Sequence, residues 1–129
     1  MALCIDCQNY QNLKTKATGG GVQFEREEFI EWKRGDPDRR RCVYCGIDGD
    51  QLYALDVLNP RNGKRFEVIG VDRRDNGLPY TLDNIQPCCP LCNGIKSGIL
   101  THAEMLVMGS HLRVLWDARL EDSPVSERA

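Results

Sequence analysis

Apolar positions along the chain fall into short stretches separated by turn residues. Residues 22–32 have apolar side chains at helical spacing and predict a short amphipathic helix, which a Gly-Asp-Pro-Asp turn at 35–38 ends. Residues 52–58 and 64–71 predict two strands, and residues 85–87 predict a third, shorter strand. A chain that shows both periodicities is expected to fold in the α+β class.

Two further helices are predicted near the end of the chain. Pro90 can occupy the first turn of a helix that runs to about Ser97, and Gly98 ends it. Thr101-His102-Ala103-Glu104 has the pattern of a capping box, and a last helix is expected to run from there toward Leu120. The apolar residues available for the buried stripe of this helix are Met105, Leu106, Met108, Leu112, Leu115 and Trp116.

The chain is expected to hold one domain with a short extension at each end. Residues 1–21 contain a CxxC pair and three consecutive glycines, which form a flexible joint. Residues 22–120 form the single domain, as is usual for a chain of 129 residues. Residues 121–129 are mostly polar and predict a disordered tail.

The composition indicates a modest hydrophobic core. Nine residues are aromatic and 41% are hydrophobic, and small domains of this kind often need a metal ion or a disulfide for stability. The N-terminal residues lack a basic stretch followed by an apolar run, and no segment approaches the roughly 20 apolar residues of a membrane helix. We therefore expect a cytoplasmic protein of bacterial or phage origin, in which paired cysteines bind metal more often than they form disulfides.

The charge distribution says more than the net charge of −2. Basic residues cluster at 33–41 and again at 61–74, while acidic residues gather at 25–31 and 121–127. Such clusters are typical of a phosphate-binding surface and equally of ordinary solvated surface. Charge alone therefore leaves both interpretations open.

Two CxxC pairs are placed to bind one zinc ion. Cys42 and Cys45 form the first pair, and Cys89 and Cys92 form the second, 44 positions after Cys45. Two residues between ligands let one tight turn present two sulfurs, and four thiolates complete a tetrahedral zinc site. A redox CxxC would call for a surrounding βαβ pattern, which this sequence does not show.

Three cysteines lie outside this set. Cys4 and Cys7 make half a site and could bind a second zinc ion together with Cys88 and a histidine, join a partner chain, or stay free. Cys88 adjoins Cys89 and cannot easily reach the same ion, so we expect it to be a small core residue. The sequence leaves these alternatives open.

Polar residues that could bind a metal ion or phosphate lie between the zinc pairs and just after them. Asp72 sits where a predicted strand ends, Asn84 lies in a following loop, and Asn93 and Lys96 come after the last zinc ligand. This order, together with the Cys-x-Tyr-Cys-Gly segment, resembles the HNH endonuclease family over roughly residues 42–98. The resemblance implies an α+β fold with a ββα-metal HNH core and a Cys4 zinc site, flanked by an N-terminal helix and a C-terminal helix.

The resemblance also implies a role for each of these residues. Asp72 and Asn93 would hold the catalytic ion, Asn84 would brace the loop by hydrogen bonds, and Lys96 would contact phosphate. The chemistry agrees, because a carboxylate and an amide oxygen suit Mg²⁺ or Mn²⁺, with water and phosphate in the other positions. The alternatives are a loop cap at Asp72 and an ordinary Asx turn at Asn84.

One position departs from the family pattern. The family usually has a histidine directly after the metal-binding Asp, where it serves as general base, and this chain has Arg73. Arginine stays protonated and cannot be a base, but it can bind phosphate or stabilise transition-state charge. The base is then expected elsewhere, first at His102, with Asp75, His111 or metal-bound hydroxide as alternatives. The expected nucleic-acid contacts are Arg73, Arg74 and Lys96.

These observations together predict a metal-dependent endonuclease of the HNH type that hydrolyses phosphodiester bonds in DNA. Its cofactors would be a structural Zn²⁺ and a catalytic Mg²⁺ or Mn²⁺. The expected partner is nucleic acid, DNA in the first place, with a protein partner that supplies specificity and no membrane. The alternative is a catalytically inactive HNH-like zinc module that binds nucleic acid or a partner protein. A thiol redox protein would have no use for the metal-site asparagine or the arginine pair.

Overall fold

The computed structural model describes residues 5–16 and 21–122 of the chain. These residues form five α-helices, one short 3₁₀ helix and two β-strands. In chain order they are α1 (Ile5–Lys16), α2 (Arg26–Arg34), the 3₁₀ helix (Pro37–Arg40), α3 (Gly49–Ala54), β1 (Gly70–Arg73), β2 (Ile85–Cys88), α4 (Pro90–Lys96) and α5 (His102–Asp122). The α+β fold class predicted from the sequence is confirmed.

The two strands and the helix after them form the ββα unit that carries the candidate site. β1 and β2 pair antiparallel, with Gly70 opposite Cys88 and Asp72 opposite Gln86. Because alternate residues of a strand face opposite sides, Asp72 and Gln86 share one face of the hairpin. α4 begins directly after Cys89, so the chain order strand, strand, helix is the predicted ββα core.

Local sequence explains where α4 and α5 begin and end. Pro90 occupies the first turn of α4, where its missing N–H costs no helical hydrogen bond. Ser97 and Gly98 end that helix with positive φ angles of 47° and 71°. At the start of α5, Thr101 and Glu104 exchange the two hydrogen bonds of the predicted capping box.

The core consists of two hydrophobic clusters that meet at the hairpin. The main core contains Cys42, Tyr44, Cys45, Ile47, Leu52, Ile69, Cys88, Cys89, Cys92, Met105 and Trp116. The aromatic cluster contains Tyr10, Leu13, Phe24, Phe29 and Ile85. β2 is buried at all four positions because Ile85 enters the aromatic cluster while Cys88 enters the main core.

The aromatic cluster ties α1 to the domain. The ring centroid of Tyr10 lies 6.0 Å from those of Phe24 and Phe29, and the Tyr10 hydroxyl donates to the Phe24 carbonyl oxygen at 3.0 Å. The predicted extension at 1–21 therefore contributes a packed helix, while its glycines at 19–20 lie outside the described residues. At the other end, α5 runs to Asp122, and most of the predicted tail at 121–129 also lies outside them.

The strand predicted at 52–58 is wrong, because this segment begins inside α3. Asp48 caps α3 by accepting from the backbone N–H of Gln51, whose side chain accepts in return from the backbone N–H of Asp48. Such a capping box stabilises a helical first turn more than the apolar side chains of the segment favour a strand. The strand predicted at 64–71 is also shorter than expected, since regular pairing starts only at Gly70.

The predicted helix at 22–32 and the predicted stripe of α5 need correction as well. The helix predicted at 22–32 is α2, which starts only at Arg26 because Glu25 and Glu28 form a capping box there. In α5, Met105 and Trp116 are buried and Leu112 is partly buried, as predicted. The other three residues of the predicted stripe are exposed, namely Leu106, Met108 and Leu115. None of the described helices is long and apolar enough to cross a membrane.

The buried side of α5 includes a glycine that the main core requires. Gly109 faces the backbone of Tyr44, and a Cβ atom built on Gly109 would lie only 2.2 Å from the Tyr44 carbonyl oxygen. The helix therefore approaches the first CxxC loop at a distance that no side chain permits. This contact fixes Tyr44 between α5 and the hairpin.

Candidate active site and zinc site

The four cysteines predicted to bind zinc lie together. The Sγ atoms of Cys42, Cys45, Cys89 and Cys92 all lie within 4.8 Å of one another, and all four residues are buried. The Cys45 and Cys89 sulfurs are 3.7 Å apart. A tetrahedron with Zn–S bonds of ~2.3 Å has edges of about 3.8 Å, so this four-thiol site fits one zinc ion.

The electrostatics of the four-thiol site also favour a cation. Hydrogen bonds from the neighbouring thiols lower the pKa of Cys42, and hydrogen bonds with Cys42 raise the pKa values of Cys89 and Cys92. The thiols thus compete for protons, because several thiolates at this spacing repel one another. A divalent cation removes that repulsion and allows all four to bind as thiolates.

The remaining cysteines are placed differently. Cys88 is buried in the main core and its thiol donates to the Cys89 carbonyl oxygen at 3.4 Å, as expected for a small core residue. Cys7 takes part in a disulfide bond. A disulfide-bonded Cys7 is neither a zinc ligand nor a free thiol, so those two alternatives are wrong for Cys7, while Cys4 lies outside the described residues.

Asp72 is the centre of a buried hydrogen-bond network. Its Oδ2 atom accepts from the Tyr44 hydroxyl at 3.0 Å and from the Lys96 ammonium at 2.6 Å. Lys96 is fully buried and also donates to the Arg73 carbonyl oxygen. Since both side-chain bonds to Asp72 that the described residues make end on Oδ2, the Oδ1 atom is the one available to an ion.

Gln86 and His102 extend this network. The Gln86 amide Nε2 lies 2.6 Å from the Tyr44 hydroxyl, to which it donates, and 3.1 Å from His102 Nδ1. His102 Nδ1 lies 3.5 Å from the same hydroxyl. The structure therefore brings Asp72 and His102, thirty positions apart in the sequence, onto one shared partner, the Tyr44 hydroxyl.

The environment sets the protonation of the two ring residues. Burial and the negative charge of Asp72 raise the pKa of Tyr44, so its hydroxyl keeps its proton and donates to Asp72. Burial, together with the positive charges of Arg74 and Lys96, lowers the pKa of His102 below its usual value. A neutral His102 can accept a proton at neutral pH.

Asn84 holds the loop that connects the two strands. Its side-chain Nδ2 donates to the carbonyl oxygens of Asp75, Leu78 and Pro79 at 3.0–3.3 Å, and its Oδ1 accepts from the Asp75 backbone N–H at 3.0 Å. Asn84 is itself buried, so these bonds satisfy its amide completely. The loop after Arg73 is thereby fixed relative to both strands.

The other predicted site residues surround this network at different depths. Asn93 is exposed on α4, one helical turn before Lys96 and therefore on the same side of the helix. Arg73 follows Asp72 in β1 and turns to the opposite side, where its guanidinium lies 5.1 Å from the Tyr80 ring centroid and donates to the Leu78 carbonyl oxygen at 3.3 Å. Arg74 is exposed.

The two alternative bases lie away from the network. Asp75 is exposed and caps the backbone N–H of Gly77 at 2.9 Å. His111 is exposed, while the residues of α5 that enter the main core, Met105 and Trp116, lie on the other side of the helix. Of the candidates named from the sequence, His102 is therefore the one placed beside Asp72.

The basic cluster at 33–41 makes mainly intramolecular contacts, although only Lys33 is buried. Lys33 is buried, donates to the Ile69 carbonyl oxygen at 2.6 Å, and has its pKa lowered to about 8 by burial. Arg34 and Arg40 pair with the buried Asp6 at 3.0 and 3.4 Å. Arg39 lies 4.8 Å from the centroid of the Trp32 ring. These groups hold the N-terminal helices together.

Sequence reasoning missed two members of the network. From the sequence, Tyr44 was noted only as part of the Cys-x-Tyr-Cys-Gly segment between two zinc ligands, and Gln86 only as part of a short strand; neither was assigned a role in the site. The register of the hairpin carries the missing signal, because it places Gln86 directly opposite Asp72. Tyr44 could be recognised only once α5 and Gly109 were in place beside it.

These features define a class of protein: a ββα hairpin-helix unit, held by a four-thiol site, with a carboxylate and a histidine joined through a shared tyrosine. The same fold occurs in a solved structure that matches the chain with a TM-score of 0.80 and 34% sequence identity, over 92% of this chain and 84% of the other. That protein is PacI, a rare-cutting HNH restriction endonuclease described for its mechanism of DNA perturbation. The chain belongs to the HNH endonuclease family.

A second similarity covers a smaller part of the chain. The chain is 29% identical over 89 residues to fructose-1,6-bisphosphatase 2 class 2 of Escherichia coli (strain K12), over 61% of this chain. The chain spans only 28% of that enzyme's length, so the match assigns it no activity. No protein-family profile matches the chain.

Proposed function

We propose that this protein is a metal-dependent endonuclease that hydrolyses phosphodiester bonds in DNA. The observation that carries the proposal is the network around Asp72, in which a buried carboxylate and a half-buried histidine share Tyr44, and Gln86 bonds both Tyr44 and His102. The similarity to PacI, which acts on DNA, supports the choice of substrate. The four-thiol site would hold the structural Zn²⁺.

Asp72 and Asn93 would hold the catalytic Mg²⁺ or Mn²⁺. A carboxylate and an amide oxygen are ligands that such an ion accepts, and the exposed position of Asn93 leaves room for phosphate and water. When bound, the ion stabilises the charge that develops on the phosphate and on the leaving oxygen. The neighbouring Lys96 donates to Asp72 Oδ2 and so holds the carboxylate in one orientation.

His102 is the proposed general base. The Gln86 amide donates to Nδ1, which is therefore the acceptor nitrogen of neutral His102, and the attacking water would have to replace this donor in order to pass its proton to Nδ1. Burial, together with the cationic neighbours Arg74 and Lys96, lowers the pKa of His102 and favours the neutral imidazole, which can take the proton of the attacking water. Tyr44 and Gln86 orient the ring.

Arg73, Arg74 and Lys96 are the proposed contacts to the nucleic-acid backbone. Arg74 is exposed beside the site, and Arg73 can fork two donors onto phosphate oxygens while it rests on Tyr80. Lys96 is fully buried and donates to Asp72 and to the Arg73 carbonyl oxygen, so it would reach phosphate only if these bonds were broken. A protein partner that supplies sequence specificity is also part of the proposal.

The experiment is a plasmid-nicking assay with Mg²⁺, Mn²⁺ or EDTA, run on the wild type and on two variants. Asp72→Asn keeps the shape of the side chain beside the buried Lys96, whereas alanine would leave that ammonium unpaired. Asp72→Asn and Asn93→Ala should each slow nicking by about a hundredfold or more, the scale for loss of one charge-stabilising group. Their circular dichroism spectra should match that of the wild type.

Asp83→Asn is the matched control, because Asp83 is a carboxylate in the same loop region that lies outside the network around Asp72. It should nick at the wild-type rate. If Asn93→Ala also nicks at that rate, the ion lies elsewhere. If the wild-type protein binds DNA but does not nick it with either ion, the chain is the inactive HNH-like binding module.

A further inference from the structure

A cavity of about 410 Å³ opens beside Asn93, one of the two proposed ligands of the catalytic ion. Its volume lies within the range of ligand sites in proteins, roughly 300–1,000 Å³. Helix α1, the segment that precedes β1, and helix α4 all contribute side chains to its lining. The cavity is therefore large enough to receive a part of the substrate next to the candidate active site.

Asparagine side chains dominate the lining of this cavity. Five of them line it, namely Asn9, Asn12, Asn59, Asn62 and Asn93. The Oδ1 atoms of Asn59 and Asn62 accept from the backbone N–H groups of Arg61 and Lys64 at 3.0 and 2.9 Å. Because a backbone N–H can only donate, these bonds fix which end of each amide is the oxygen. The Nδ2 atoms of Asn59 and Asn62 donate to no group among the described residues, so both remain available to a ligand.

The charges on the lining favour a ligand that carries negative charge. Lys64 is exposed and takes part in none of the ion pairs that the described residues form. Arg65, by contrast, pairs with Asp56 at 2.6 Å and lies 4.6 Å from the centroid of the Tyr53 ring. Glu67 is the one carboxylate among the lining residues. A ligand here meets amide donors and an unpaired ammonium group, and it must supply acceptor oxygens.

We propose that this cavity binds the sugar-phosphate backbone of the DNA strand beside the phosphate that is cut, an inference that rests on the proposed nuclease function. Lysine and asparagine side chains commonly donate to phosphate oxygens, and such contacts position a duplex without reading its sequence. Asn62 and Lys64 lie in one turn, which the bridge between Leu58 and Arg65 closes. They would donate to the backbone, while Asn93 lies where the strand reaches the candidate active site.

The test is DNA binding by the full chain without added Mg²⁺ or Mn²⁺, so that the DNA stays uncut. Fluorescence anisotropy of a labelled duplex, over a range of NaCl concentrations, gives the salt dependence of the binding constant K. Lys64→Gln should reduce the slope of log K against log salt by about one, because one phosphate contact is lost. Asn62→Asp keeps the acceptor of the turn but replaces the donor by a carboxylate, and should weaken binding by about tenfold or more.

Two further variants show whether the effect belongs to the cavity. Arg26→Gln is the matched control, because Arg26 is exposed on α2 outside the cavity and its loss changes the net charge by as much as either variant above. Glu67→Gln removes the carboxylate of the lining and should instead tighten binding. The altered side chains of Asn62, Lys64 and Glu67 are exposed, so circular dichroism should show an unchanged fold.

Two duplexes of equal length, one rich in A·T pairs and one rich in G·C pairs, distinguish the backbone from the bases. Backbone contacts carry no sequence information, so each variant should lose the same factor on both duplexes. The proposal is overturned by a wild type that binds neither duplex, by losses no larger than that of Arg26→Gln, or by losses confined to one duplex.

Plasmid nicking by the wild type separates this proposal from the nuclease function on which it rests. A chain that nicks DNA, and whose binding the cavity variants leave at the level of the control, overturns the role of the cavity and keeps the nuclease. A chain that binds both duplexes through Asn62 and Lys64 but does not nick DNA overturns the nuclease and keeps the cavity as the DNA site.

Discussion

At the scale of single residues, the site depends on which side chains lie in contact rather than on unusual residue types. His102 is an ordinary histidine at the start of α5, yet its Nδ1 lies 3.1 Å from the Gln86 amide and its surroundings include two cations. Tyr44 is shared between His102 and Asp72. Each of these roles comes from the packing of distant segments, and none can be read from the residue type alone.

The lowered pKa of His102 predicts a pH dependence. If His102 is the base, the nicking rate should stay constant above pH 6.5 and fall only at lower pH, as the imidazole becomes protonated below its usual pKa of about 6.5. His102→Asn should slow nicking by about 10²–10⁴-fold and abolish this acid limb. A wild-type acid limb that persists unchanged in the variant would assign the titration to another group.

The same shift has a consequence for stability. The folded state releases the His102 proton at a lower pH than the unfolded chain does, so between that lower pKa and about 6.5 the unfolded chain binds more protons. Stability should therefore fall as the pH is lowered through this window. Thermal melting of the wild type and His102→Asn in that range measures the contribution.

Arg73 provides a second test at this scale. If the guanidinium binds the reacting phosphate, Arg73→Ala should slow nicking because about 2–4 kcal/mol of transition-state stabilisation is lost. Arg73→His distinguishes a working arginine from the remnant of a decayed histidine. Because the proposed base is His102, we expect Arg73→His to lower activity, and a clear gain in nicking would instead mean that the site had lost its base at position 73.

At the scale of elements, the sequence predicts best where local chemistry and packing agree. The end of the hairpin, α4 and the start of α5 were predictable because proline, glycine and a capping box stand at their boundaries. α3 was mistaken for a strand because the apolar residues from Leu52 onward suggested a strand, while the capping box of Asp48 and Gln51 that starts a helix was not recognised. The outer face of α5 was misjudged because apolar spacing alone does not say which of two faces meets the core.

The contact between α5 and Tyr44 predicts opposite outcomes for two glycines in helices. Gly109→Ala should destabilise the fold by about 1–3 kcal/mol, because the methyl group would lie 2.2 Å from the Tyr44 carbonyl oxygen and the helix would have to move. Gly94→Ala is the matched control, since no atom lies within 4 Å of the place its methyl group would take and alanine favours α4 by roughly 0.5–1 kcal/mol. Urea unfolding of both variants measures the difference, and equal stability for both would contradict the contact.

At the scale of the whole molecule, two small clusters share the burial that one large core would otherwise provide. The main core is built around the four-thiol site, while the aromatic cluster holds α1 and α2. Cysteine supplies little apolar surface, so the main core is expected to depend on the ion for cohesion. The sequence indicated this dependence through its cysteine spacing, but the aromatic cluster became apparent only when α1 packed against α2.

Removal of zinc should therefore unfold the domain. Cys89→Ser should lose the ion and most of its structure, because a structural zinc site contributes about 10–16 kcal/mol of binding energy to folding. Cys88→Ala is the matched control: Cys88 is buried next to Cys89 but lies outside the four-thiol site, so this variant should keep one zinc per chain. Elemental analysis with circular dichroism decides, and a folded, zinc-free Cys89→Ser chain would contradict the prediction.

Two residues of the candidate active site lie next to zinc-site cysteines in the chain. Tyr44 lies between Cys42 and Cys45, and Asn93 directly follows Cys92. Cobalt(II) fits the same thiolates as zinc and absorbs visible light with an intensity that depends on ligand geometry. Any event that moves Tyr44 or Asn93 also strains the neighbouring Cys45 or Cys92 through one peptide unit. If Mg²⁺ and DNA bind as proposed, the absorption spectrum of a cobalt-loaded chain should change on their addition, which makes the structural site a probe of binding at the neighbouring one.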